Sequence, residues 1–252
     1  MKLSLYIITF LLVHITMAQN KSLFDEGNTL YSNGKYNEAI EKYEEILNVG
    51  LHSAEVYFNL GNAHYKLNRI APSIYYYEKA LLLSPKDKEI QNNLSFAQNM
   101  TIDAIEFVPE IGISRFLRGA IKMFSFDTWA FLSVVFVILF VVLFITYYFT
   151  SRTNKKRFTF VTSILSAFLT ILFLSFAFQK QAMDNKDNPA IVFAQESLVR
   201  TDPNLSGEEA FRLHEGTKVR VLDTINNWTE ILLADGKTGW IVSDDIRMLN
   251  NF

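Results

Sequence analysis

Residues 128–149 read Thr-Trp-Ala-Phe-Leu-Ser-Val-Val-Phe-Val-Ile-Leu-Phe-Val-Val-Leu-Phe-Ile-Thr-Tyr-Tyr-Phe, and residues 158–178 form a second run equally free of charge. At about 1.5 Å per helical residue, each run reaches roughly 30 Å, the thickness of a bilayer's hydrocarbon core. Apolar runs that belong to buried helices of soluble proteins are commonly about 10–14 residues long. The pattern therefore predicts a pair of transmembrane helices over 128–178, joined by a loop at 150–157. That loop carries Arg152, Lys155, Lys156 and Arg157 and no acid. Short cationic loops stay in the cytoplasm, so the two flanking parts of the chain are expected on the other side. Trp129 near one end of the first run, and Tyr147 and Tyr148 near the other, suit the two headgroup levels.

The distribution of charge follows the same division. Of 24 Lys and Arg and 26 Asp and Glu in 252 residues, 8 basic and 13 acidic residues fall in 19–110, and 8 and 12 in 180–252. Residues 111–179 hold 7 basic residues and one acid, Asp127. Acidic flanks argue against nucleic-acid binding by either of them. The chain has no cysteine, which excludes disulfides, thiolate metal sites and thiol nucleophiles.

Residues 1–18 read as a secretory signal: Lys2 gives the positive start, Leu3–Ile15 the apolar stretch, and Thr16-Met17-Ala18 a small-residue cleavage site. An uncleaved anchor is the other reading, and either one exports the chain from Asn20 onward.

Residues 20–87, within a domain that runs to 100, contain an internal period of 34. It relates Gly27 to Gly61, Asn28 to Asn62, Ala39 to Ser73, Tyr43 to Tyr77 and Glu44 to Glu78. With Tyr57, Leu60-Gly61, Tyr65, Ala80 and Pro85, the second copy resembles the tetratricopeptide repeat. The first copy departs at Glu26, where that family usually has Leu, and lacks the closing Pro. The resemblance implies an all-α solenoid, which 88–100 closes with a cap helix. The first helix of each repeat would line the concave side, so Asn28, Tyr31, Asn59, Asn62, Tyr65 and Asn93 are the candidate peptide-binding residues. Asparagine offers a donor and an acceptor to an extended peptide, and tyrosine adds rigid apolar area. Those asparagines are equally what such a repeat ordinarily carries. The basic positions of related carboxylate-clamping repeats correspond here to Phe24, Glu89 and Asn93, so no free carboxylate is required of the ligand.

Residues 101–127 join the repeats to the first apolar run. The portion 101–111 has no strong period and reads as a connector. In 113–124, Arg115, Arg118 and Lys122 share one helical face, and Phe116, Leu117, Ala120, Ile121 and Phe124 the other. That arrangement predicts an interfacial helix on the bilayer, or else a soluble helix packed on the repeats. In the second apolar run, Thr159, Ser163, Ser166 and Thr170 form a small polar stripe. It would face either the first run or a helix of a partner.

Residues 188–250 change to short β-rich runs broken by turn dipeptides. Strands are expected at 190–194, 211–213, 218–224, 229–233 and 239–242. Val-Arg-Thr-Asp-Pro at 199–203, Leu-His-Glu-Gly-Thr-Lys-Val at 213–219 and Asp-Gly-Lys-Thr-Gly-Trp-Ile at 235–241 resemble the bacterial SH3 domain, which implies a small all-β barrel. By that resemblance Trp240 is expected in the core. Trp228, beside the loop at Asn226-Asn227, reads equally as a core residue or as the candidate ligand contact.

No phosphate-binding glycine motif, metal-spaced histidine pair or nucleophile elbow occurs, so no cofactor, metal or catalytic residue is expected. The order of signal, tetratricopeptide repeats, basic-looped transmembrane hairpin and SH3-like domain resembles the BatE-like proteins of the Bacteroides aerotolerance group. The resemblance implies a multidomain membrane protein of the bacterial inner membrane with periplasmic soluble domains. It further implies a non-catalytic scaffold that works with von Willebrand A-domain proteins in oxygen tolerance or stress. Peptidoglycan is the alternative partner, reached through the SH3-like domain, and the lipid bilayer surrounds the hairpin.

Overall fold

Gly27 and Gly61 each leave room for a tyrosine ring: a Cβ on either would stand 2.6 Å from Tyr43 or Tyr77 respectively. Both tyrosines are buried in consequence. Phe24 and Phe58, also 34 apart, lean on them at 6.0 and 5.9 Å between ring centres. These contacts pair α1 (helical over 21–32) with α2 (Tyr36–Asn48), and α3 (Ala54–Lys66) with α4 (Ile70–Leu83). Then α5 (Lys88–Gln98) packs on α4. Ala39, Ala63, Ala71 and Ala80 are fully buried where helices approach closely. Ser53 and Asp87 cap α3 and α5 through their side-chain oxygens, each cap contributing about 1 kcal/mol.

The computed structural model describes residues 21–105 and 112–250. The expected signal at 1–18 lies outside them, as does the part of the connector at 106–111. The chain forms two compact units, Met1–Phe107 with Asn188–Phe252, and Val108–Asp187.

In the first unit the C-terminal part is one antiparallel sheet. Its strands are β1 (Pro189–Val192), β2 (Glu196–Arg200), β3 (Glu209–His214), β4 (Lys218–Ile225), β5 (Trp228–Leu232), β6 (Thr238–Val242) and β7 (Ile246–Met248). The strand order is β3-β2-β6-β5-β4-β1-β7. Among the described residues no ladder joins the β3 and β7 edges, so the pairing forms an open antiparallel sheet, without the closure expected of a barrel. Alternation sends Ser197, Val199, Thr229, Ile231, Gly239 and Ile241 inward. Gly239 is needed at the crossing of β2 and β6, where a Cβ would stand 2.5 Å from Val199.

Repeats and strands share this unit. Ile191 and Leu249 belong to the same buried cluster as the helices. Tyr75 meets the ring of Phe193 edge-on at 5.5 Å, and the Arg247 guanidinium lies 4.2 Å over that ring. Lys218 Nζ donates to the buried Glu78 at 2.7 Å. The turn at Gly216 (φ +87°) presses its backbone against Ile70, Ile74 and Thr101. The connector takes part through Asp103, which accepts from His214 and Thr217, and through Ile105, which packs on the strand core.

The second unit consists of α6 (Ile113–Lys122), α7 (Phe126–Phe149) and α8 (Thr153–Lys186). The latter two are long and apolar enough to cross a membrane. The joining loop is shorter than expected. Helix α8 begins at Thr153, so Lys155, Lys156 and Arg157 lie on its first turns. At its other end α8 continues past the apolar run to Lys186. The small polar stripe faces α7: Thr159, Ser163 and Ser166 are buried, Ser166 Oγ donates to the Phe136 carbonyl at 2.8 Å, and Ser133 Oγ to that of Thr170 at 3.2 Å. The open choice between first run and partner helix is thereby settled for the first run. Trp129, near the start of α7, is 5% exposed. It packs on Phe124, Phe173 and Phe176 and donates from Nε1 to the Ile121 carbonyl at 3.0 Å, which ties α6 to the hairpin.

Candidate functional site

The 34-residue period sets the chemistry of the repeat groove. Tyr43 Oη donates to Asn28 Oδ1 at 2.7 Å, and the same oxygen accepts Asn59 Nδ2 at 2.8 Å. One repeat later, Tyr77 Oη donates to Asn62 Oδ1 at 2.6 Å, which also accepts Asn93 Nδ2 at 2.9 Å. Four of the candidate residues thus form two identical triads that fasten α1 to α3 and α3 to α5. Burial pushes Tyr43 up to about 12 and raises Tyr77 further, so both remain neutral donors at any physiological pH.

A cleft of about 220 Å³ opens beside the second triad. Of the sequence-based candidates, Tyr31, Asn62, Tyr65 and Asn93 line it, together with Phe96 and Lys66. Asn28 and Asn59 do not reach this cleft and act within the ladder. Phe96 is 58% exposed, an apolar ring without cover. Lys66 is absent from the sequence-based candidates because it follows Tyr65 at the end of α3, where helical phase turns it toward the rim. The cleft combines aromatic walls, amide groups and one cation, which suits a peptide segment passing between α3 and α5.

The sheet carries a second cleft, of about 350 Å³, on its outer face. Trp228, Leu198, Leu205 and Val242 form its apolar part, and Arg200 and Asp245 its polar part. The structure thus places Trp228 in the lining of this cleft. Trp240 departs from expectation. Gly239 and Ile241 occupy the inward positions of β6, so Trp240 is half-buried on the opposite face, in register with Arg200 and Glu230. Asp245 accepts the Ser197 hydroxyl, and Arg200 Nη1 donates to the Gly207 carbonyl at 2.6 Å, which fixes the two charged groups.

Among the described residues, no group of three or more His, Asp and Glu side chains could hold a metal ion. His64 is buried at 7% exposure, with both ring nitrogens unpaired and its ring stacked on Tyr76 at 5.3 Å. Burial, helped by the Arg69 and Arg247 charges, lowers its pKa to about 4.

Residues 27–68 match the family model described as TPR repeat, residues 54–87 the one described as tetratricopeptide repeat, and residues 198–247 that of the bacterial SH3 domain. No curated protein matches the chain. Both families are typically binding modules, and neither brings catalytic residues with it. The chain joins TPR repeats, two helices long and apolar enough to cross a membrane, and a bacterial SH3 domain.

Proposed function

We propose that the protein is a non-catalytic membrane scaffold whose repeat groove holds an extended peptide segment of a protein partner. The observation that carries this reading is the cleft between α3 and α5, where Tyr31, Tyr65 and Phe96 supply exposed aromatic area beside Asn62, Asn93 and Lys66. The ladder oxygens are already engaged, so the ligand meets the remaining amide groups and the rings. The cationic hairpin turn supports a cytoplasmic turn with both soluble parts in the periplasm. The order of domains supports an inner-membrane complex of the aerotolerance type, with von Willebrand A-domain proteins as partners. The test is co-purification of A-domain proteins with the full-length chain from its own membranes. Phe96→Ala with Tyr65→Ala should lose them while the helical circular dichroism stays unchanged. Retention of the partners by the folded variant would overturn the groove as their site.

The Trp228 cleft favours a second reading, a sensor of the cell wall that grips peptidoglycan peptides on the outer face of the sheet. Full-length protein should then pellet with isolated peptidoglycan, and Trp228→Ala should release it. Equal pelleting of the two proteins would remove this reading and leave the groove reading untouched. A single cysteine at 154 should resist an impermeant thiol reagent in whole cells, while one at 204 should react. The reverse pattern would overturn the orientation.

A further inference from the structure

We infer that the turn end of the α7–α8 pair is a site for the headgroup of an anionic phospholipid, an inference that rests on this pair spanning a bilayer. Arg152, Lys155, Lys156 and Arg157 lie within six residues, and the segment 150–157 contains no acid. Among the described residues none of the four pairs with a carboxylate. Four uncompensated cations at the end of an apolar hairpin call for an external anion.

The structure places three of these cations, Lys155, Lys156 and Arg157, in two clefts. The first, about 340 Å³, is bounded by Tyr147 of α7 and by Ser151, Thr153, Lys156, Arg157 and Phe160. Tyr147 and Phe160 form its floor with ring centres 5.2 Å apart. Lys156 Nζ sits 5.3 Å over the Tyr147 ring, which holds the ammonium at the mouth. The second cleft, about 390 Å³, holds Lys155 with Thr150, Asn154, Phe158 and Thr159.

In the first cleft two cations and two hydroxyl side chains stand above two aromatic rings. A glycerophospholipid presents its groups in the same sequence: a phosphate outermost, then ester oxygens, then alkyl chain. The phosphate takes the Lys156 and Arg157 charges and the Ser151 and Thr153 hydroxyls. The first carbons of the acyl chains lie on Tyr147 and Phe160 and run on, away from the turn, along the exposed ring of Phe144, whose centre stands 6.0 Å from that of Tyr147. The aromatic floor is what selects a lipid over a free anion, since inorganic phosphate has no apolar part to place there. Basic pockets at the cytoplasmic ends of membrane helices commonly hold such headgroups.

The experiment uses the full-length protein, delipidated in a neutral detergent and weighed intact by native mass spectrometry. Phosphatidylglycerol, phosphatidylcholine of the same acyl chains, and inorganic phosphate are the added probes. Wild type should retain phosphatidylglycerol over phosphatidylcholine and should not retain inorganic phosphate. Each basic residue near an anionic lipid surface changes affinity about fivefold, so Lys156→Gln with Arg157→Gln should weaken phosphatidylglycerol binding on the order of 25-fold. Lys86→Gln with Lys88→Gln, around the start of α5, should leave it unchanged. Equal retention of the two lipids by wild type would overturn the inference whether or not the double variant folds. So would capture of inorganic phosphate, which would point to a free-anion site. Alkaline carbonate extraction of wild type from its membranes reports separately on whether the hairpin is inserted. Phe96→Ala should leave lipid retention intact, so failure of the groove reading and failure of this one are told apart.

Discussion

Asp103 Oδ1 stands 2.8 Å from Nδ1 of His214, and Oδ2 of the same carboxylate accepts the His214 backbone N–H at 2.7 Å. Thr217 Oγ1 donates to that Oδ2 as well, at 2.6 Å. One carboxylate of the connector therefore holds the turn at Gly216 against the repeats. Asp103→Ala should lower the stability of the full chain by about 2 kcal/mol, because the buried Thr217 hydroxyl and the His214 N–H lose their acceptor. Thermal unfolding reads this loss, and limited proteolysis of the variant should show faster cutting near residue 105. Burial pushes the Asp103 carboxyl up, but these hydrogen bonds outweigh it and hold the group below its ordinary value. Its contribution is thus present above the ordinary carboxylate range and fades as pH falls through the lower folded value.

His64 gives a pH effect in a different window. Its folded value of about 4 lies below the ordinary 6.5, so the unfolded chain takes up the proton first. Stability is unaffected above pH 6.5, falls between 6.5 and 4, and is level again below. His64→Phe keeps the stack on Tyr76 and removes two unpaired buried nitrogens, so it should be neutral or stabilising by about 1 kcal/mol at pH 7. The variant should also lose the decline between pH 6.5 and 4. Melting curves across pH 4–7 check both expectations.

Gly61→Ala should destabilise the repeats by about 1–3 kcal/mol, since the new methyl would stand 2.6 Å from the buried Tyr77 ring. Gly27→Ala should cost a similar amount through Tyr43. Gly34→Ala meets no neighbour but sits at φ +75°, so its cost comes from backbone strain alone. Denaturant midpoints of the three variants would rank them.

Asn62→Ala should destabilise by about 1–3 kcal/mol, because the Tyr77 hydroxyl and the Asn93 amide both lose their acceptor. Binding tests that strip the asparagines would therefore confuse unfolding with loss of contact. Phe96→Ala removes an exposed ring and should leave the melting temperature nearly unchanged, a difference that a thermal scan of both variants would show.

Ser166→Leu should splay the hairpin, as Ser166 is 2% exposed and its hydroxyl bonds across to the Phe136 carbonyl. Cysteines placed at 133 and 170 should cross-link readily in the parent and poorly in this variant.

The repeats were legible because their signal is periodic: the interval that relates Gly27 to Gly61 also relates the two tyrosine–asparagine contacts. The ladder itself was half legible. The sequence placed Asn28, Asn59, Asn62 and Asn93 on one face, but which groups they bond depends on helix packing. Strand β7 was missed because Ile246–Met248 has only three residues, too few for alternation to register. Strand β2 lay outside the expected strands because its short run ends at the turn signal of 201–203. The placement of Trp240 failed because one strand residue's face depends on register, and Gly239 takes the inward position. The union of repeats and strands left no trace in either segment, since Glu78 and Lys218 are 140 residues apart and each reads alone as a surface charge.

That union also imposes a schedule on synthesis. The 80 residues of Val108–Asp187 separate the two parts of the first unit in the chain. At about 5–20 residues per second, roughly 4–16 seconds pass between the emergence of the repeats and of the strands that cover them. During that interval Ile70, Ile74 and Tyr75 await the Gly216 turn and Phe193, while α7 and α8 are being made. The repeats must therefore wait half-dressed, and any factor that guards nascent chains has its moment there.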